Sequence, residues 1–326
     1  MSDSKRFRVL ITGSSFPDKA REIAELADIA EVVVDATTSR AELLRLVEGV
    51  HAIMSDATRI DAEIIERAGE LKAVVAYGVG YDHIDLRAAL RRGVVVSNSP
   101  EGMSTEVAEH AIGLLFALAR QLPFADLEVK GRGAWDAFGP NYRPMLLKGK
   151  TLGIVGFGRI GRETGRIAAG VGMKLLVHDP TLRPDERIVP ADWRIVISPA
   201  LEETLRSADA VTVHVPLTDR TRGMFGAEQF AMMKPGALFV NVSRGAVVEQ
   251  KALGEALTSG HLGGAGLDVL VPEPPDWNDD LLSAPNLIVT PHMAWRSEAC
   301  GLPMQLDAVG EVRRILLGEP PRWRVV

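Results

Sequence analysis

The chain has 326 residues, 46% hydrophobic and 25% charged, with a formal net charge of −6. This length allows two domains of ordinary size, and the composition is that of a soluble globular protein. No long run of one sign is present, so no basic footprint for nucleic acid or an anionic membrane is visible. The arginines near the end, Arg313, Arg314, Arg322 and Arg324, read as a solvated helix face and tail. One cysteine, Cys300, excludes an internal disulfide framework, and no Cys and His spacing suits a metal. No segment approaches the roughly 18 apolar residues of a membrane span. The opening MSDSKRFRVLITG runs into a strand without an apolar signal core, which predicts a cytoplasmic location.

Short apolar strands alternate with amphipathic helices from the start. FRVLIT precedes a helix over 18–27, EVVV one over 40–48, AIM one over 61–68 and KAVVA one over 84–91, with VVVS closing the series. The rhythm predicts a parallel sheet covered by helices. A longer helix follows from Ser104 to Arg120, where Val107, Ala111, Leu114, Leu115 and Leu118 keep helical spacing. The stretch KGRGAWDAFGPNYRPMLLKGK (130–150) breaks the period and reads as a linker or covering loop. A second series begins at Thr151: TLGIV and a helix, KLLVH and a loop, a helix over 201–207, then AVTVHV and a helix. GALFVNV, a helix over 250–259, GGAGLDV, a loop, LIVT and a last helix over 296–317 complete it.

The second series opens on a dinucleotide motif. Gly156, Gly158 and Gly161 give G-x-G-x-x-G between a strand and a helix: one glycine for a tight turn, one to admit a pyrophosphate, one to let the helix pack. The helix N-terminus suits an anion, and Arg159 adds charge. Asp179, after the next strand, is placed to accept hydrogen bonds from the adenosine ribose hydroxyls and to repel a 2′-phosphate, favouring NAD over NADP. Arg183 is the nearby cation that would favour the phosphate, and Asp179 argues against it.

In an open parallel sheet, ligands bind beyond the carboxyl ends of the strands. Polar residues there include Arg244 after GALFVNV, Asp268 and Glu273 after GGAGL, His292 after LIVT and His214 after AVTV. Hydride transfer to a 2-oxo acid needs a cation for the carboxylate, a proton donor for the developing alkoxide, and a group that keeps the donor protonated. Arginine grips a carboxylate bidentately. Histidine exchanges a proton near neutral pH, and a neighbouring carboxylate stabilises imidazolium and selects its tautomer. Arg244, Glu273 and a histidine meet these needs without a metal; the residues by themselves leave His292 and His214 as alternatives. Glu249 and Gln250 read as lying away from the chemistry.

YGVGYDHIDL (77–86), VAEHAIGLLFALAR (107–120), GKTLGIVGFGRIGR (149–162), HVPLTDRTRGMF (214–225), VNVSRGAVV (240–248), LDVLVPEPP (267–275) and NLIVTPHMAW (286–295) follow in order along nearly the whole chain. Together they resemble the D-isomer-specific 2-hydroxyacid dehydrogenase family. The resemblance implies two Rossmann-like α/β domains with parallel sheets, an NAD-binding domain at 102–292 inserted into a discontinuous flavodoxin-like substrate domain at 1–101 and 293–326. It implies that Arg244 binds the substrate carboxylate, Glu273 pairs with the histidine, and His292 is the acid/base. His214 and Pro216 would sit on the cofactor side with Gly156, Gly158, Arg159, Ile160, Gly161, Asp179, Thr221, Val242 and Asp268, the last near the nicotinamide amide. Gly78, Val79 and Gly80 would hold the carboxylate from the other domain. The segment 104–145 would make a homodimer contact. The implied activity is NAD-dependent interconversion of a small D-2-hydroxy acid and its 2-oxo acid, hydroxypyruvate or glyoxylate being the substrate expected; the alternative is a corepressor-like NAD(H)-sensing binding protein with little turnover.

Overall fold

The computed structural model describes residues 7–13, 15–16, 18–35, 39–135, 142, 144–183 and 195–326. The chain forms two compact units, Met1–Met103 with Ser297–Val326, and Ser104–Arg296.

In the first unit, β1 (Phe7–Thr12), β2 (Ala30–Asp35), β3 (Ala52–Ser55), β4 (Ala73–Ala76) and β5 (Val95–Asn98) form a parallel sheet in the order β2-β1-β3-β4-β5. This is the flavodoxin-like order, which reverses direction beside β1. The connecting helices are α1 (Ala20–Leu26), α2 (Arg40–Leu46), α3 (Ala62–Arg67) and α4 (Leu86–Arg92). Asp61 and Asp85 start α3 and α4 by accepting the N–H groups of Ile64 at 3.2 Å and Ala88 at 2.8 Å. β3 and β4 are buried along their whole length, because helices cover both faces of the sheet.

The last helix, Gly301–Leu316, returns to this unit and packs on α1 and β4. It starts later than the expected 296, because the Ser297 hydroxyl accepts the N–H groups of Ala299 and Cys300 and holds the preceding residues in a turn. Two buried acids tie it in. Glu22 of α1 accepts from the Tyr77 hydroxyl at 3.1 Å and the Gln305 amide at 3.0 Å. Glu311 accepts from Ser97 and from the N–H groups of Arg322 (3.0 Å) and Trp323 (3.2 Å), so the following tail lies along β5.

The second unit begins with α5 (Ser104–Ala119) and α6 (Leu122–Arg132). A seven-stranded parallel sheet follows: β6 (Thr151–Val155), β7 (Lys174–His178), β8 (Ile195–Ile197), β9 (Ala210–Val213), β10 (Leu238–Asn241), β11 (Gly264–Leu267) and β12 (Leu287–Val289). Its helices are α7 (Arg159–Gly170), α8 (Leu201–Ser207), α9 (Ala227–Met232) and α10 (Gln250–Thr258). The order β12-β11-β10-β9-β6-β7-β8 is doubly wound and reverses between β6 and β9, which opens a ligand crevice at the carboxyl ends of those strands. One face carries α5 and α7 over Leu114, Leu115, Ile154 and Val240; the other is built on Phe225, Phe230, Phe239 and Leu253.

Two elements depart from the sequence expectation. Lys130–Arg132, expected to begin a covering loop, end α6 instead. Pro123 stands in the first turn of that helix, where its missing N–H breaks no bond. β8 adds an edge strand that the pattern did not indicate. The remainder of the expected covering loop at 136–141 and 143, and most of the loop expected after KLLVH (184–194), lie outside the described residues. Among the described residues no helix is long and apolar enough to cross a membrane.

Candidate functional site

The glycine motif turns the chain from β6 into α7. Gly156 has φ 90°, and a Cβ there would lie 2.8 Å from the carbonyl of His214, so both conformation and the adjacent strand demand glycine. A Cβ on Gly161 would lie 2.2 Å from the Gly156 oxygen. Gly158 differs: it is exposed, and a Cβ would meet no atom within 4 Å. Nothing in the protein's own packing requires glycine there, whereas a pyrophosphate approaching the N-terminus of α7 would need that side left open. Arg159 and Ile160 form the first turn of α7, with Arg159 exposed and Ile160 partly buried.

Asp179 follows β7 and accepts the Phe157 N–H of the glycine turn at 2.8 Å. Its other oxygen takes the Thr181 N–H (2.9 Å) and hydroxyl (2.7 Å). Burial alone would raise this carboxyl, but those hydrogen bonds hold it below the usual carboxylate range. The acid is therefore ionised and fixed at the edge of the crevice. Across the β6/β9 reversal, His214 follows β9, with Nε2 3.0 Å from the Thr212 hydroxyl. Desolvation pushes its imidazole down to about 3, so it is neutral at physiological pH and poorly suited to deliver a proton there. The next turn is closed by Thr221, whose hydroxyl donates to the Pro216 carbonyl at 2.6 Å.

Beyond β10, Asn241 organises the turn that carries Val242 and Arg244. Its fully buried amide donates to the Arg244 carbonyl at 2.9 Å, and its oxygen accepts the Ser243 N–H (3.0 Å) and hydroxyl (2.8 Å). Val242 is buried, and Arg244 donates to the Ser243 carbonyl at 2.8 Å. A Cβ on Gly245 would stand 2.2 Å from the Leu270 oxygen, so this glycine lets the Arg244 turn lie against the loop that leads to Glu273. Gln250, expected to lie away from the chemistry, braces the loop that leads to Glu273. Its amide oxygen accepts the Val271 N–H at 2.5 Å while its nitrogen donates to Asp279 at 2.9 Å, a pairing a carboxylate could not make in full.

Glu273 and His292 meet at the end of these loops. His292 Nδ1 lies 2.6 Å from Glu273 Oε2, and Glu273 Oε1 accepts the Leu270 N–H at 3.0 Å. Burial works to raise the Glu273 carboxyl; the bond and charge of His292, the Leu270 N–H and the charge of Arg244 prevail and hold it below the usual range. A carboxylate accepts only, so Nδ1 carries the hydrogen and Nε2 is left for a reacting oxygen. His292 has φ 49°, a left-handed conformation uncommon for a residue with a side chain. Asp268, 1% exposed, holds it: its carbonyl accepts the His292 N–H at 2.8 Å, and its carboxylate accepts the N–H groups of Met293 and Ala294, each at 2.9 Å, and the Thr290 hydroxyl at 2.6 Å. Asn241, Gln250 and Thr290 are contributors that the motifs do not single out by role.

Gly78, Val79 and Gly80 belong to the first unit, just beyond β4. Gly78 has φ 92°. Its carbonyl accepts the Ser99 N–H at 3.0 Å, and that of Val79 accepts the Asn98 amide at 2.9 Å, so both carbonyls are turned into the unit's own structure.

Residues 112–294 match the family model described as D-isomer specific 2-hydroxyacid dehydrogenase, NAD binding domain. The chain is 40% identical over 261 residues to the glyoxylate reductase of Thermococcus litoralis, covering 78% of this chain and 77% of that one. It is 36% identical over 313 residues to the D-3-phosphoglycerate dehydrogenase of Methanocaldococcus jannaschii; this is 96% of the chain but spans only 58% of that longer relative. Among solved structures, the NADPH-dependent glyoxylate/hydroxypyruvate reductase of Sinorhizobium meliloti, in complex with NADP and malonate, superposes with a TM-score of 0.87. Its identity is 30%, with 98% of this chain and 97% of that one covered. A sheet of the doubly wound order, a glycine-rich turn from strand to helix and a matching NAD-binding domain agree: the chain belongs to the D-isomer specific 2-hydroxyacid dehydrogenase family.

Proposed function

We propose that the protein interconverts a small D-2-hydroxy acid and its 2-oxo acid with NAD, with His292 as the acid/base. The observation that carries this reading is the 2.6 Å pair between His292 Nδ1 and Glu273, which leaves Nε2 as the group that gives or takes a proton. Arg244 binds the substrate carboxylate, and its charge already bears on Glu273. Gly78, Val79 and Gly80 are the first unit's substrate-binding residues in this reading. Gly156, Gly158, Arg159, Ile160, Gly161, Asp179, His214, Pro216, Thr221, Val242 and Asp268 hold the cofactor, which when bound supplies or receives the hydride at the substrate's C2. In the reductive direction His292 passes its Nε2 proton to the oxygen at C2, and Glu273 stabilises the imidazolium beforehand. In this reading 102–292 is the cofactor domain, and 1–101 with 293–326 is the substrate domain.

Asp179 supports NAD over NADP, because an ionised carboxylate there opposes a 2′-phosphate. Glyoxylate or hydroxypyruvate is the substrate of this reading, supported by relatives with those names that match most of this chain. A homodimer through 104–145 is supported by α6, which leaves Leu122, Phe124, Leu127 and Val129 exposed. A cytoplasmic location, where the dinucleotide is available, completes it. The test is NADH oxidation by the purified protein with hydroxypyruvate, glyoxylate, pyruvate, phenylpyruvate and 3-phosphohydroxypyruvate, with NADPH in parallel. Turnover of glyoxylate or hydroxypyruvate with NADH is the expected result; NADH binding with no turnover of any 2-oxo acid overturns the reading.

A further inference from the structure

Thr290 lies between β12 and His292, and its hydroxyl has one hydrogen, donated to Asp268 Oδ1 at 2.6 Å. Nε2 of His110, from α5, stands 2.9 Å from the same hydroxyl oxygen. With the Thr290 hydrogen already spent on a carboxylate, His110 is the donor of this second bond and carries its hydrogen on Nε2. His110 Nε2 is also 3.6 Å from Asp268 Oδ1. Asp268 is almost fully buried and acts as an acceptor in each of these side-chain bonds, two of them from the backbone that immediately follows His292. A continuous polar chain thus runs from α5 through Thr290 and Asp268 to the N–H groups of Met293 and Ala294.

We propose that His110 and Thr290 are positioning residues for His292: through Asp268 they hold the left-handed backbone at φ 49° that aims the imidazole. The proposal rests on the acid/base reading of His292. Neither residue touches a reacting atom in it. His110 fixes the direction of the Thr290 hydroxyl, that hydroxyl fixes the Asp268 carboxylate, and the carboxylate fixes the two amides after His292. Without this chain the backbone relaxes toward ordinary φ and Nε2 moves away from productive geometry. A merely structural role would lower stability without linking the residues in series.

The experiment compares Thr290→Val, which removes the hydroxyl at nearly constant volume, with Thr290→Ser, which keeps it. His110→Ala is compared with His110→Gln, whose amide can still donate, and a His110→Ala/Thr290→Val double variant is added. Thr290→Val is expected to lower kcat by roughly tenfold to a hundredfold with the KM for the 2-oxo acid little changed. Thr290→Ser and His110→Gln recover most of their respective losses, and the double variant is no worse than Thr290→Val, because links in series do not add. Proton NMR gives a readout independent of turnover: the downfield Nδ1–H resonance of the His292–Glu273 pair, assigned by its absence in His292→Ala, persists in Thr290→Ser and shifts or broadens in Thr290→Val. If the wild type turns over no 2-oxo acid, the functional reading falls, while this resonance still reports whether Thr290 positions His292. Thr290→Val with wild-type kcat and an unmoved resonance overturns the proposal, as does a double variant whose loss equals the product of the single losses.

Discussion

His292 presents Nδ1 to Glu273 at 2.6 Å from a backbone held at φ 49°, so its side chain is oriented by one acid while Asp268 holds its main chain. Two separate carboxylates thus set the tautomer and the position of one imidazole. His292→Ala is expected to lower kcat by about a hundredfold to ten-thousandfold while the Kd for NADH, measured by fluorescence, stays near the wild-type value. Glu273→Gln is expected to lose less, since an amide can still accept the Nδ1 hydrogen but lacks the charge that stabilises imidazolium. If His292→Ala loses NADH binding, the histidine is part of the fold of the site rather than its acid/base.

The glycines of the turn separate packing from ligand binding. Gly161→Ala would press a methyl against the Gly156 carbonyl, at 2.2 Å before relaxation, and is expected to cost about 1–3 kcal/mol or more in stability, seen as a lower Tm. Gly158→Ala meets nothing within 4 Å and should leave Tm near wild type, yet weaken NADH roughly tenfold or more because the methyl stands where the pyrophosphate approaches. Calorimetry paired with NADH titration checks both. Equal NADH affinity in wild type and Gly158→Ala would mean that the phosphates lie elsewhere.

Much of this arrangement is legible in the sequence because it repeats locally. Strands such as AVVA at 73–76 are apolar throughout, and the glycine spacing lies within one turn and the following helix. What escapes the pattern acts through space. Gln250 reaches the loop before Glu273 from the start of α10, and Thr290 reaches Asp268, contacts with no sequence period. α6 is hidden for another reason: Leu122, Phe124, Leu127 and Val129 are exposed, so they build no buried stripe at helical spacing. His214 and His292 likewise differ through space: burial pushes the His214 imidazole down to about 3, whereas Glu273 faces Nδ1 of His292 at 2.6 Å.

The exposed apolar side chains of α6 yield a prediction about assembly. Leu127 is 59% exposed, and Leu122, Phe124 and Val129 of the same helix are exposed as well, apolar surface that is costly to leave in water. Leu127→Glu is expected to convert a dimer into monomers in sedimentation velocity while leaving the far-UV circular dichroism unchanged. An unchanged sedimentation coefficient would place the contact on another surface, and a wild type that sediments as a monomer would remove the dimer from the functional reading.

In the first unit, Asp307 on the last helix is pushed up to about 6, first by burial and then by the charges of Glu101 and Glu311. Between the ordinary value of 3.8 and about 6, the folded chain holds a proton that the unfolded chain has released, so this group makes stability fall as pH rises through that window. Above it the ionised Asp307 is a standing cost. The shift corresponds to about 3 kcal/mol at most, and because the side chain is only half-buried, solvent screening brings the expected cost to about 1 kcal/mol. Asp307→Asn removes the charge and should therefore be more stable than wild type at pH 7.5, with the advantage shrinking as the pH falls to 4 and the wild-type carboxyl regains its proton. Urea unfolding at the two pH values measures it. A stabilisation of the same size at both would show that Asn acts through packing, not through the charge crowded between Glu101 and Glu311.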